Sequence, residues 1–167
     1  MALERLRAVA EKKLAKLGIK LDYTLHLNWK EETGTDTPRH AIYINPDDTR
    51  CKTLAMQNMQ HLLLHEIGHV FLHTYVTNKI RKNPEFKALF GDTIKGYRRK
   101  RGRMKTSPDF ISNYAQVQSR DDFCETFAVY VAFEGNMRKI KAFLRQRKKG
   151  PKVLKKVIWI RRFVKII

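Results

Sequence analysis

A chain of 167 residues suffices for one compact domain with its own core, and its two cysteines, Cys51 and Cys124, exclude a disulfide scaffold and suit a reducing, intracellular setting. Thirty-five lysines and arginines against sixteen acids give a formal charge of +19, so polyanions are natural neighbours, either nucleic acid or an anionic surface. No run approaches the roughly 20 apolar residues of a membrane span, and Met1 to Arg7 interleaves charges where a signal peptide would be apolar.

Leu3, Leu6, Val9 or Ala10, Leu14 and Leu17 form one helical stripe that Gly18 terminates, which predicts a first helix over residues 3–17. Leu21, Tyr23, Leu25, Leu27 and Trp29 alternate with polar residues, the period of a half-buried strand. Residues 31–39 read as a loop and Ala41 to Ile44 as a second short strand. A long helix is expected from about Arg50 to Tyr75, capped by Asp48 or Thr49, and a brief one from Pro84 to Phe90, stopped by Gly91.

Residues 95–105 are almost wholly basic and read as a solvated loop. Ser119-Arg120-Asp121-Asp122 has the form of a capping box, with Asp122 turned back to Ser119, opening a helix that ends at Gly135. Beyond Met137 there are no acids. Thirteen lysines and arginines lie between Arg138 and Lys165, interspersed with Phe143, Trp159 and Phe163, and the last apolar run is ambiguous between helix and strand. Segments 95–105 and 138–165 are therefore candidate contacts to phosphates, with the aromatics stacking on bases, or to a membrane interface through an amphipathic tail.

The residues with the clearest chemistry are His65-Glu66-Ile67-Gly68-His69. Side chains four apart share a helix face, so His65 and His69 can reach one ion while Glu66 reaches a water on it. His61 and His73 continue the same spacing but bracket no glutamate in register, and read as polar neighbours. A metzincin would carry a third histidine six positions after His69, where Tyr75 stands. A catalytic zinc needs a third protein ligand, and Asp121 and Glu125, four apart on the later helix, are the candidates. In a gluzincin arrangement the first acid binds the ion and the second orients a ligand histidine, which favours Asp121 as ligand with Glu125 behind it, or Glu125 as the alternative ligand.

The motif, with Asn83 to Asp92, Phe110 to Ala115 and Asp121 to Ala128 in the same order, resembles the zinc-binding metallopeptidase family of HExxH zincins over roughly residues 60–133. The last block also resembles the catalytic region of the anthrax lethal factor peptidase, in which a tyrosine precedes the carboxylate ligand by seven residues, as Tyr114 precedes Asp121. That resemblance implies Asp121 as ligand and Tyr114 as the oxyanion-stabilising group. Aspartate replaces the usual glutamate, and Cys124 stands where alanine is usual.

The expectation is an α+β, zincin-like metallopeptidase domain over residues 1–135, its small sheet packed on the HExxH helix, with a basic helical C-terminal extension over 136–167 packed on it. It would hydrolyse peptide bonds of protein substrates with one zinc ion per chain, Glu66 as general base, and Ala41 to Ile44 as a peptide-binding edge strand. The competing reading is a basic nucleic-acid-binding protein whose zinc site is structural or degenerate.

Overall fold

The computed structural model describes residues 2–29, 31–95 and 107–167. The basic stretch of residues 96–106 lies outside them. The fold is α+β, with seven helices and a three-stranded sheet among the described residues.

Helix α1 (Ala2–Lys16) is followed by Gly18 at φ +72°. Strands β1 (Thr24–Leu27), β2 (Gly34–Asp36) and β3 (Ala41–Ile44) form a sheet of order β1-β3-β2, with β1 parallel and β2 antiparallel to β3. Two expectations change here. The segment Gly34–Asp36, read as loop, is a strand too short and polar to show a period of its own. Because it pairs with β3, Ala41–Ile44 is the central strand and not an edge; the edges are β1 and β2. The alternation in β1 also overstates its burial: Tyr23 is in the core, but Leu27 and Trp29 are exposed.

The histidine-bearing helix α2 spans Met59–Tyr75, starting later than the apolar pattern suggests. Thr49–Thr53 form a 3-10 turn, and Asn58 caps α2 by accepting the His61 N–H at 2.8 Å. The intervening Ala55 N–H is withdrawn from any helix because it donates to the Glu125 carboxylate at 2.9 Å. Helices α3 (Asn78–Lys82) and α4 (Pro84–Phe90) follow, α4 capped by Asn83 and closed by Gly91 at φ +77°.

Helix α5 (Ser119–Ala132) packs along α2. Its N-cap is Gln118, not a capping box at Ser119: Asp122 turns away to the buried ammonium of Lys156, at 2.7 and 2.9 Å. Helices α6 (Met137–Gln146) and α7 (Pro151–Val164) complete the chain. The ambiguous tail is helical because Val153, Val157, Ile160 and Val164 recur at helical spacing and all bury.

One core joins these elements. Phe71 of α2 lies 4.4 Å, ring centre to ring centre, from Phe127 of α5, and Trp159 of α7 packs on Phe86 of α4 at 5.0 Å. The aromatics expected to stack on bases are thereby consumed: Trp159 and Phe163 are buried, and Phe143 packs on Phe133. The apolar face of α7 is likewise spent on the core rather than left for a membrane interface. No helix among the described residues is long and apolar enough to cross a membrane.

Candidate metal centre

Helix α2 displays His65, Glu66 and His69, and α5 displays Asp121 and Glu125. What brings the two faces together is the absence of a side chain at Gly68. A β-carbon there would lie 3.0 Å from the Cα and 3.1 Å from the Cβ of Cys124, so only glycine lets the α5 backbone approach this closely. Cys124 sits between Asp121 and Glu125 in the chain, and its contact with Gly68 delivers both acids to the histidines.

Asp121 Oδ1 lies 3.7 Å from His65 Nε2 and 3.5 Å from His69 Nε2. One ligand atom from each of these three residues falls within 4.8 Å of the others. Zinc bonds of about 2.0 to 2.2 Å in a tetrahedron place ligand atoms roughly 3.3 to 3.6 Å apart, so the three need little movement to share an ion. Two atoms of the set, His65 Nε2 and Asp121 Oδ2, are buried without a hydrogen-bond partner. Buried polar atoms are rarely left so, and a cation between them supplies the missing partner. The residues present fit the group.

Glu125 stands on the other side of His65. Its Oε1 accepts from His65 Nδ1–H at 3.1 Å and from His61 Nε2–H at 3.0 Å, and its Oε2 accepts the Ala55 N–H. Both oxygens are thus engaged away from the Nε2 face. His61 is buried in this network, whereas His73 is exposed. Burial alone would raise the Glu125 carboxyl, but His61 and His65 hold it well below the ordinary carboxylate range. Burial also opposes charge on the imidazoles, yet His65, facing Asp121 and Glu125, and His69, beside Cys124 and Asp121, are each raised to about 10.

Glu66 is buried, and its Oε2 accepts a hydrogen bond from the Thr35 hydroxyl of β2 at 2.8 Å. Tyr114 lies in a short 3-10 turn, its ring edge-on to that of His65 with centres 5.3 Å apart. All six residues singled out in the sequence, His65, Glu66, His69, Tyr114, Asp121 and Glu125, thus gather around one point. Thr35 joins them through Glu66, and Lys156 holds the neighbouring Asp122 rather than any of the six; both come from segments with no motif, and no sequence signal marks either, while His61 was visible only as an extra histidine on the motif face.

A family model described as "Putative zinc-binding metallo-peptidase" matches residues 52–162, more than half of the chain. The chain belongs to this metallopeptidase family. No curated protein and no solved structure matches it. The matched region begins before α2 and ends within α7, so it takes in both helices of the candidate metal centre, α6 and most of α7. Membership in a peptidase family implies protein or peptide substrates.

Proposed function

We propose that the protein is a zinc-dependent peptidase that holds one zinc ion per chain through His65, His69 and Asp121 in a zincin-like domain. The observation that carries this reading is the convergence of two unsatisfied buried atoms, His65 Nε2 and Asp121 Oδ2, beside His69. Three protein ligands with a fourth position left for water is the pattern of a catalytic rather than a structural site.

Held by His65, His69 and Asp121, zinc would supply a bound water with its pKa lowered toward about 7 and a Lewis acid for the scissile carbonyl. The chain's own groups do the rest. Glu66, next to the ligand His65 and held by Thr35, takes the proton from the attacking water and returns it to the leaving amine. Tyr114 donates its hydroxyl proton in a hydrogen bond to the oxyanion that develops on the substrate. Glu125 fixes His65 with Nδ1 protonated, which leaves Nε2 as the nitrogen that would hold the ion. The free edge of β2, which carries Thr35, offers backbone pairing to an extended peptide in place of the edge first assigned to Ala41–Ile44. Cys124, a buried free thiol, suits a reducing, intracellular setting.

Elemental analysis of the purified wild type, His69→Ala, Asp121→Ala and Glu125→Ala tests the ligand set. One zinc per chain, lost with His69 or Asp121 and only weakened with Glu125, is expected. Glu66→Gln should keep its zinc and lose hydrolysis of a casein substrate. A folded wild type that takes up no zinc, or a Glu66→Gln protein with undiminished hydrolysis, overturns the assignment.

A further inference from the structure

Near the metal centre lies a second concavity, of about 220 Å³, that the peptidase reading does not use. Three cations line it: Lys52 from the turn before α2, and Arg147 and Lys149 from the turn between α6 and α7, with Gln57, Ser112 and Asn113 between them. No carboxylate belongs to its lining, and among the described residues none of the three cations is ion-paired. Arg147 is held over the Phe143 ring at 5.3 Å, which keeps its guanidinium ordered for a bidentate carboxylate contact. Lys149 is lowered from the ordinary lysine value by burial and by Arg147, a like-charge cost that a bound anion relieves.

Another concavity, of about 300 Å³, is lined by Lys141, Arg145 and Lys149 together with Leu144, Pro151 and Leu154. Lys149 is common to both, so the cations form an extended track rather than a single point. Its inner end is tied to the metal centre by two chain links. Asn113 precedes Tyr114, whose ring packs on His65, and Leu54, which also lines the concavity, precedes Ala55, whose N–H holds Glu125.

We infer that this track binds an acidic segment of the peptide substrate and so selects substrates rich in aspartate and glutamate near the cleavage point. The inference rests on the peptidase reading for the word substrate, and on the geometry alone for the acidic ligand. An acidic peptide is favoured over nucleic acid because, among the described residues, no aromatic side chain lines either concavity to stack on a base.

The test uses the full-length, zinc-loaded Glu66→Gln protein and fluorescence anisotropy with a glutamate-rich peptide, the same peptide with glutamine at every glutamate, and a single-stranded oligonucleotide of equal charge. The glutamate peptide should bind at least about tenfold tighter than the glutamine peptide, and tighter than the oligonucleotide. Lys52→Glu with Arg147→Glu and Lys149→Glu should abolish that preference, whereas Lys12→Glu with Lys79→Glu and Lys155→Glu, the same charge change elsewhere, should keep it. Should the first triple variant fail to fold, the neutral set Lys52→Gln, Arg147→Gln and Lys149→Gln serves in its place. Equal binding of both peptides, a preference that survives loss of the three cations, or tighter binding of the oligonucleotide overturns the inference. Selective binding without cleavage by the wild type defeats the peptidase reading and leaves the acidic site standing; cleavage without selectivity does the reverse.

Discussion

Gly68 and Cys124 meet so closely that a β-carbon on the glycine would stand 3.0 Å from the cysteine Cα. This contact, deep between α2 and α5, sets the distance between the histidines and the acids. Gly68→Ala forces the two backbones apart by a few tenths of an ångström and should cost about 1 to 3 kcal/mol of stability through overpacking. Since Asp121 rides on the displaced helix, zinc affinity should fall as well. Urea melts and a chelator competition measure the two effects; wild-type zinc affinity in Gly68→Ala would mean that the spacing is set elsewhere.

Thr35 holds the Glu66 carboxylate from the strand side. Thr35→Val keeps the shape of the side chain but removes the donor. Losing one hydrogen bond worth about 1 to 1.5 kcal/mol should lower kcat by roughly tenfold. Zinc content should stay at the wild-type level. A kcat unchanged in Thr35→Val rules out the hydroxyl as the group that orients the base.

Lys156 is fully buried, grips both oxygens of Asp122, donates to the Asp109 carbonyl at 2.8 Å and lies 4.5 Å from the centre of the Phe110 ring. Burial pushes Asp122 up and Lys156 down from their ordinary values, and each charge holds the other back. Lys156→Met leaves a buried carboxylate without its partner and should destabilise the fold by about 3 to 5 kcal/mol, much of which Asp122→Leu in the same chain should restore. Denaturation of the single and double variants gives the comparison. A double variant no more stable than Lys156→Met would show that the pair contributes through the loop contacts at Asp109 and Phe110 instead.

Zinc uptake should depend steeply on pH. With His65 and His69 each raised to about 10 in the metal-free protein, both imidazoles carry protons at neutral pH, while Asp121 is held ionised by those same histidines against the upward pull of burial. Binding must displace two protons, so apparent affinity should fall about a hundredfold for each pH unit lowered below that range. Chelator competition at several pH values reads the slope directly; a pH-independent affinity would exclude both histidines as ligands.

Much of the centre could be read without coordinates because it is written in helical spacing. His65 and His69, and Asp121 and Glu125, are each four apart, so the helix itself aligns them. What spacing could not convey is contact between distant segments. Thr35 reaches Glu66 across 31 positions, Ala55 reaches Glu125 across 70 and Lys156 reaches Asp122 across 34. The order of strands escaped for the same reason: a polar triplet, Gly34–Asp36, becomes an edge only because β3 presents it a free side. Asp122 was misread because its local partner, Ser119, was visible in the sequence while its actual partner was a lysine on α7.

The place of α7 has a further consequence for how the protein comes to be. Synthesis proceeds from the N-terminus at about 5 to 20 residues per second, so the histidine helix leaves the ribosome well before Lys156 exists. Until that lysine arrives, Asp122 at the start of α5 lacks its ion-pair partner, and the loop around Asp109 and Phe110, which leads to Tyr114, lacks the ammonium that binds the Asp109 carbonyl. The histidine motif is therefore complete in the growing chain before the Lys156 contacts beside the segment that leads to Tyr114 can form.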